Sequence, residues 1–554
     1  MQKRIWLSGV MAALGAAMLV AAAFAGPASS KSNRPSASGQ KKGGTMNINM
    51  SGTDVDYIDP ALAYGTDSWQ ILDAVCRKLL YYPDKPAPVG SKLTPDAAVG
   101  LPAVSKDGKT YVFTIKTGIK SNTGEALTAA NFKAAFDRDL NSKMQSPSTP
   151  FITGASGIVG AQTVLDGKAT SASGVIAKGQ KLTFRLQNPD GSFLAKMAMN
   201  FFCPIPKGTP INPDGINTFA SFGPYYVASR QVGRQIIVKT NPNYKGQRPH
   251  NVDTFVFTAN TQLDQSLLQV KSGQADYDAG GLPPTAHADL AKQFGINKGR
   301  YFISHGINID YAAMNTSRPA FANVTMRKAV QYAIDRPALV RVRGFLAGHR
   351  DDQILPPGLA GYKNFNIYPV KGSNYTRGKA LAAKAGGCKD ITLYSSTTVV
   401  GQNLAQVLKY NLGQIGCNNV NVKLFQGFQI YIATGTKGEP YDIAIAVGWF
   451  ADYPDPYDFI DILLNGNNIH EANNNNLSYL NVPALNKQMA AANTLTGDKR
   501  AAAYQALDLK IMKDYAPLAV YEQRNIREFV SSRTGGYLFR PSVGLAGLNT
   551  FFLK

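Results

Sequence analysis

Residues 441–464 read YDIAIAVGWFADYPDPYDFIDILL, and this stretch is the most informative part of the chain. Its first nine residues, YDIAIAVGW, are mostly apolar and predict a buried strand. Pro454 and Pro456 then end the strand, because proline cannot donate a hydrogen bond to a sheet. The pattern therefore predicts an aromatic and acidic turn at the carboxyl end of a strand, the edge at which open α/β sheets bind ligands.

The charge of this stretch is opposite to that of the whole chain. It contains no lysine or arginine, although the chain has a formal net charge of +22. Its aspartates are Asp442, Asp452, Asp455, Asp458 and Asp461. An aspartate fixed at a ligand-binding edge is a natural counter-charge for a cationic group, such as the free amine of a peptide. An acidic turn on the surface fits the same spacing equally well.

Length and composition indicate a globular protein of several domains rather than a disordered chain. The 554 residues are too many for one hydrophobic core, and 44% of them are hydrophobic against 17% charged. The 52 glycines and 31 prolines predict many turns and loops. The basic residues are scattered, without an aromatic-interleaved basic motif, so we expect no nucleic-acid partner.

The N-terminus predicts export. Two basic residues precede the apolar residues 5–23, and Ala-Phe-Ala at 23–25 matches a signal-peptidase site. We interpret residues 1–25 as a signal peptide and residues 26–42, which are polar and small, as a flexible linker. An uncleaved membrane anchor is the alternative, because the apolar stretch nearly reaches the length of a span. No cysteine lies near the cleavage site, so we expect an extracytoplasmic protein that is not a lipobox lipoprotein.

Export permits disulfides. The cysteines are Cys76, Cys203, Cys388 and Cys417, and they allow three pairings. Residues 391–396 predict a strand, 401–416 a helix and 420–425 the next strand. In a parallel β-α-β unit, the start of the first strand and the end of the helix lie at one sheet edge. This predicts Cys388 with Cys417, and leaves Cys76 to pair with Cys203.

Elsewhere the patterns predict a mixed α/β organisation. Residues 67–82 and 128–140 have helical apolar spacing, and residues 323–348 predict two helices. Residues 103–115 and 223–241 alternate apolar and polar side chains around a turn, which is typical of hairpins.

The order of these motifs resembles the family 5 extracellular solute-binding proteins of ABC importers, of the peptide and oligopeptide type. The segments that carry the resemblance are GGTMNI with YIDPALA, LTPDAAVGLPAVSKDGKTYVFTIKTGIKSNTGEALTAANFKAAFDR, FGPYYV with NPNYKGQRPHNVDTFVF, LLQVKSGQADYD, MNTSRPAFANVTMRKAVQYAIDRPALV and GWFADYPDPYDFI. Together they cover residues 43–554, nearly all of the expected mature chain. SNTGEAL at 121–127 departs from the family, which commonly has His-Asp-Gly there.

The resemblance implies an α/β fold of two lobes, the large type II form of the periplasmic-binding-protein fold, with a third subdomain inserted in the first lobe. The implied boundaries are 43–88, 220–314 and 517–554 for the first lobe, 89–219 for the inserted subdomain and 315–516 for the second lobe. The chain then crosses between lobes near Asn315 and near Pro517. The ligand is enclosed as the lobes close by a hinge motion.

The resemblance also implies a binding site. In peptide-binding members, the first aspartate of the DYPDP turn binds the ligand's N-terminal ammonium, and the tryptophan three residues earlier lines the same pocket. The second lysine- and arginine-free stretch, 43–76, faces the cleft from the other lobe. The candidate ligand-binding residues are therefore Asp452, Trp449, Phe450, Tyr453, Tyr64 and Trp69. For Tyr64 and Trp69, packing in the core is an equally good interpretation.

The sequence offers no catalytic or metal-binding constellation. It contains no H-E-x-x-H, G-x-S-x-G or P-loop motif, and its cysteines lack metal-ligand spacing. A calcium site at the aspartates of the turn would lack the glycine and glutamate of the loop motif. We expect a monomeric, non-enzymatic receptor without cofactor or metal, which binds a peptide-like solute and delivers it to ABC permease subunits. A secreted hydrolase acting on peptides or polysaccharide is the alternative.

Overall fold

The computed structural model describes residues 41–51 and 54–554, and these residues form an α/β protein. The predicted signal peptide, and the predicted linker as far as residue 40, lie outside the described residues. The backbone N–H of Lys41 donates to the carbonyl of Leu553 at 2.9 Å, so the described part begins beside the end of the chain. Within the described ranges, no helix has both the length and the hydropathy that a membrane span requires.

A five-stranded sheet in the predicted first lobe is assembled from distant parts of the chain. In spatial order its strands are Tyr277–Asp278, Thr45–Ser51, Thr254–Thr261, Gln235–Thr240 and Tyr225–Gln231. The predicted opening strand lies parallel to Thr254–Thr261. Alternate side chains Met46, Ile48 and Met50 are fully buried, which is why this segment is a strand with one face in the core.

A four-stranded sheet lies in the predicted inserted subdomain. Its strands in spatial order are Ala103–Val104, Thr110–Thr114, Lys181–Arg185 and Val175–Lys178. The helix Ala129–Asp139 packs against it through Phe136, whose ring contacts Phe184 at 5.0 Å between centroids. The predicted cap of this helix, Thr128, forms a capping box with Asn131.

A seven-stranded mixed sheet combines strands from the predicted first lobe with strands from the predicted second lobe. Its strands in spatial order are Tyr301–His305, Leu518–Phe529, Asn308–Met314, Ile443–Phe450, Ile391–Ser396 and Val420–Phe425, and Gly348–His349 pairs with Leu518–Phe529 at one side. The predicted crossing points near Asn315 and Pro517 directly follow and precede two strands that pair with each other in this sheet. The domain boundaries themselves stay a prediction.

Helices and short strand pairs cover the sheets. The α-helices are Thr66–Val75, Ala129–Asp139, Thr149–Ile152, Ala161–Leu165, Phe193–Lys196, Leu263–Ser272, His287–Phe294, Val324–Ala333, Arg336–Val342, Tyr375–Lys384, Val399–Gln414, Gln429–Thr434, Tyr457–Leu464, Pro483–Asn493 and Gly497–Lys510. The short strand pairs are Leu80–Tyr81 with Thr94–Pro95, Thr534–Gly535 with Phe552–Leu553, and Phe539–Arg540 with Leu545–Ala546.

The structure contains both predicted disulfides. Cys388 and Cys417 have a Cα–Cα distance of 5.0 Å, and Cys76 and Cys203 one of 5.4 Å. The strands Ile391–Ser396 and Val420–Phe425 are parallel, as the β-α-β argument requires.

The helix predicted for residues 67–82 is wrong after Val75. The chain leaves the helix at Cys76, and Leu80–Tyr81 is instead a strand paired with Thr94–Pro95. The segment is buried on every side: Leu79 and Leu80 are fully buried, and even Arg77 and Lys78 are less than 10% exposed. A short run buried on all sides does not distinguish helix from strand, which is the physical reason for the error.

Candidate ligand-binding site

A cavity of about 710 Å³ lies between the segment 54–69 and the turn at 448–452. The first segment follows the opening strand of the five-stranded sheet. The turn follows the strand Ile443–Phe450 of the large sheet, so the cavity lies at the carboxyl end of that strand, as predicted. Its volume falls in the range of small-molecule binding sites, about 300–1,000 Å³.

The aromatic and acidic turn is held by Asp458, which lies in the first turn of the helix Tyr457–Leu464. Its Oδ2 accepts a hydrogen bond from the backbone N–H of Asp452 at 2.9 Å and one from Nε1 of Trp449 at 3.4 Å. The second half of the turn is therefore folded back onto the first. This fixes both Asp452 and Trp449 before any ligand arrives.

Asp452 lines the cavity and is 9% exposed. Its Oδ2 accepts a hydrogen bond of 2.7 Å from the hydroxyl of Tyr64, which reaches it from the opposite wall. No ion pair joins it to a lysine or arginine among the described residues. Burial raises the pKa of Asp452 to about 7. Burial and the neighbouring Asp452 also raise the pKa of Asp458 well above its usual range, so the two carboxyls retain a proton near neutral pH.

Aromatic rings surround this carboxyl pair. The ring of Tyr64 meets that of Trp449 edge to face at 5.7 Å between centroids, and that of Trp69 at 5.5 Å. All three side chains line the cavity. Trp69 is 5% exposed and donates its Nε1–H to the carbonyl of Ala63 at 2.7 Å, so most of this side chain belongs to the core.

Of the remaining two candidates in the turn, Phe450 and Tyr453, only one lines the cavity. Phe450 lines the cavity, and the guanidinium of Arg524 lies 5.0 Å from its ring centroid. Tyr453 does not line the cavity: it is fully buried, and its ring lies 6.2 Å from that of Phe151. The chain bends after the strand ends at Phe450, so Asp452 still lines the cavity whereas the next residue, Tyr453, packs in the core.

Other aspartates near the site already have partners. Asp56 accepts hydrogen bonds from the backbone N–H groups of Tyr57, Tyr64 and Gly65, and thereby braces the loop that presents Tyr64. Asp59 forms a buried ion pair with Arg138, and Asp455 binds Arg500 through two hydrogen bonds of 2.7 and 2.8 Å. Neither Asp59 nor Asp455 is therefore available to replace Asp452 as an anchor.

Three features of the site were missed by the sequence reasoning. The first is the role of Asp458; its position in the same acidic stretch was the available signal. The second is Arg524, which lines the cavity but binds Asp310 through both carboxylate oxygens, at 2.6 and 3.1 Å. The third is the loop 472–475, which also lines the cavity. Nothing in the sequence places Arg524 or this loop beside the turn, because only the folded sheet brings them together.

The chemistry available at this site is recognition of a cation. A buried carboxyl pair without a cationic partner, inside an aromatic cavity, favours a ligand that carries an ammonium or guanidinium group. Within the described part of the chain, no cluster of three or more histidine, cysteine, aspartate or glutamate side chains is arranged to hold a metal ion.

Comparison with known proteins places the chain among solute-binding proteins. Residues 92–471 match the model of the bacterial extracellular solute-binding proteins, family 5. The dipeptide-binding protein of Escherichia coli strain K12 is 24% identical over 471 residues, which is 79% of this chain and 82% of that protein. The structure of the murein tripeptide binding protein MppA of Escherichia coli matches with a TM-score of 0.78 at 23% identity, over 93% of this chain and 99% of that one. The structure of Haemophilus influenzae OppA in complex with the peptide RPPGFSPFR matches with a TM-score of 0.76 at 20% identity, over 93% of this chain and all of that one.

Proposed function

Since this chain belongs to family 5 of the bacterial extracellular solute-binding proteins, we propose that it captures a peptide or peptide-like solute between its two lobes and delivers it to the permease subunits of an ABC importer. Family 5 members are binding receptors and not enzymes, so the hydrolase alternative is set aside. The proposed ligand class follows the relatives, whose names describe binding of dipeptides and of murein tripeptide.

The observation that carries the proposal is the state of Asp452. This carboxyl group is nine-tenths buried, faces the cavity and has no cationic partner in the described structure. Burying an unpaired carboxylate is costly, and here the cost is met by retaining a proton near pH 7. An incoming ammonium group supplies the missing positive charge, so ligand binding completes an ion pair that the fold leaves open.

The neighbouring groups suit the N-terminal end of a peptide. Tyr64 and Trp449, whose rings meet edge to face, line the cavity together with this nine-tenths-buried carboxyl, and surroundings poor in water strengthen an ammonium–carboxylate contact. The turn that holds Asp452 is fixed by Asp458, so little conformational entropy is lost on binding.

We place the protein outside the cytoplasmic membrane, in line with its family. The first cysteine of the chain, Cys76, is joined to Cys203, so the proposal does not include lipid attachment at a cysteine next to the cleavage site.

The experiment that tests the proposal compares peptides with and without a free amine. Mass spectrometry of ligand co-purified with the protein first identifies the bound solute. Calorimetric titration then compares trialanine with N-acetyl-trialanine. We expect the free peptide to bind and the acetylated peptide to bind at least about tenfold more weakly, because acetylation removes the cation. Equal binding of both peptides would contradict the proposed anchor, and absence of binding by any peptide would contradict the proposed ligand class.

A further inference from the structure

The charged side chains that line the cavity are mostly acidic. They are Asp54, Asp56, Asp67, Asp452 and Arg524. Arg524 is the only base among them, and both of its hydrogen bonds to a carboxylate go to Asp310, so it does not offset the four acids. The cavity is therefore acidic in a protein that is basic overall.

Two of the acids are already used by the fold. Asp54 accepts hydrogen bonds from the backbone N–H of Val55 at 2.8 Å and of Gly233 at 2.6 Å. Asp56 accepts hydrogen bonds from three backbone N–H groups and from the hydroxyl of Ser68. These carboxylates hold loops in place and have little capacity left for a ligand.

Asp67 differs from both. It lies in the first turn of the helix Thr66–Val75 and is half-buried, and its carboxyl group makes no hydrogen bond or ion pair with any described residue. Burial raises its pKa to about 7, and the charges around it, on Asp56, Asp278, Asp54 and Glu528, are all negative. The helix N-terminus favours a carboxylate at this position, but no side chain supplies a positive charge.

A second observation at the opposite wall also indicates an absent cation. Asp452, which lines that wall and is 9% exposed, forms no ion pair with a lysine or arginine among the described residues. Tyr64 lies on the same segment as Asp67, which it precedes by three residues, and its hydroxyl donates a hydrogen bond to Asp452 of the opposite wall. The cavity therefore has one carboxyl group without a cationic partner on each of these two walls, Asp67 and Asp452.

We propose that Asp67 is a specificity-determining residue, and that the cavity selects solutes with two cationic groups: an α-ammonium at Asp452 and a basic side chain, lysine or arginine, at Asp67. This inference rests on the proposed function and narrows its ligand to basic peptides. A neutral peptide leaves Asp67 protonated or unpaired, whereas a basic peptide pairs it inside a partly dry cavity, where a charge-assisted hydrogen bond is strong.

The test is calorimetric titration with a positional peptide set. The probes are trialanine, its three variants with one lysine, and the three matching variants with norleucine, which has a similar shape and no charge. We expect at least one lysine peptide to bind about 10- to 100-fold more tightly than its norleucine counterpart. The preference should disappear in Asp67→Asn. It should persist in the matched control Asp289→Asn, which removes an exposed first-turn aspartate that does not line the cavity.

The outcomes separate the two claims. Binding of neutral and lysine peptides with equal affinity, or a lysine preference that survives Asp67→Asn, would overturn this inference and leave the proposed function intact. Failure of every peptide to bind would overturn the proposed function together with this inference. Circular dichroism of Asp67→Asn checks that the variant is folded, and binding of trialanine by the same variant checks that its cavity is intact.

Discussion

At the residue scale, the site is defined by a carboxyl pair that the fold leaves without a cation. The sequence pattern identified the acidic turn, which is unusual in a basic chain, and the family resemblance singled out Asp452 within it. It could not identify the protonation state, since that state depends on burial and on the approach of Asp458, and both arise only in the folded protein. The same holds for Tyr453, which shares the aromatic character of its neighbours but faces the core.

The carboxyl pair couples ligand binding to proton release. Burial raises the pKa of Asp452 to about 7, so below pH 7 the free protein holds a proton there, whereas an ammonium ligand requires the carboxylate. We therefore expect the affinity for a peptide with a free amine to rise between pH 5.5 and pH 7.5, with release of protons on binding at pH 6. Titration calorimetry in buffers of different ionisation enthalpy measures this release. A binding enthalpy that does not depend on the buffer would contradict the coupling.

The same pKa predicts how the ligand-free protein responds to pH. Between about pH 4 and pH 7 the folded state retains a proton on Asp452 that the unfolded chain has lost, so this residue's contribution to stability falls as the pH rises through that window. Asparagine does not titrate. We expect the melting temperature of Asp452→Asn, relative to the wild type, to be higher at pH 8 than at pH 5. The exposed Asp289→Asn is the control, and a difference for Asp452→Asn that is the same at both pH values would contradict the argument.

At the scale of elements, the sequence predicted regular strands and helices well where one face is buried. The strand at 420–425 and the hairpins around residues 107 and 233 are found in the structure because alternation of side chains specifies them. The prediction failed after Val75, where the chain is buried on all sides and the periodicity gives no direction. Elements held by specific polar contacts, such as the loop braced by Asp56, leave no periodic signal at all.

The Cys388–Cys417 disulfide ties together the ends of one β-α-β unit, and its contribution can be measured. Its two cysteines are 29 positions apart in the sequence. In the chain-entropy model, closing a loop of this length stabilises the folded state by about 3.5 kcal/mol. We expect the double variant Cys388→Ala/Cys417→Ala to unfold several degrees lower in a thermal melt than the wild type. Reduction of the wild type breaks both disulfides, and we expect it to lower the melting temperature by no more than the loss of these two bonds accounts for. A melting temperature equal to that of the wild type would show that this bond adds nothing to stability.

At the scale of the whole molecule, the site exists only because distant segments meet. The cavity combines residues near position 60, near 450 and near 524, and the two strands next to the predicted crossing points, Asn308–Met314 and Leu518–Phe529, are adjacent in one sheet. The family resemblance made this arrangement foreseeable, whereas composition and periodicity alone did not. Only the folded structure shows which walls of the cavity carry acidic groups without a cationic partner.

If two lobes close around a ligand, the overall shape of the protein changes on binding. We expect a monomer whose radius of gyration decreases when a saturating peptide ligand is added, because the ligand favours the closed arrangement. Size-exclusion chromatography coupled to small-angle X-ray scattering measures both mass and radius of gyration. A stable dimer would contradict the expected monomer, and an unchanged radius on saturation would contradict closure.

The central claim is that Asp452 pairs with a cationic group of the solute. Titration calorimetry of wild type, Asp452→Asn and the control Asp289→Asn with one tightly bound, amine-bearing peptide tests it most directly. Asparagine keeps the shape of the side chain and removes its charge. The account predicts that Asp452→Asn loses about 2–5 kcal/mol, roughly 30- to 5,000-fold in affinity, while Asp289→Asn binds like the wild type. Equal affinity of Asp452→Asn and wild type would show that no cation is bound at this carboxylate.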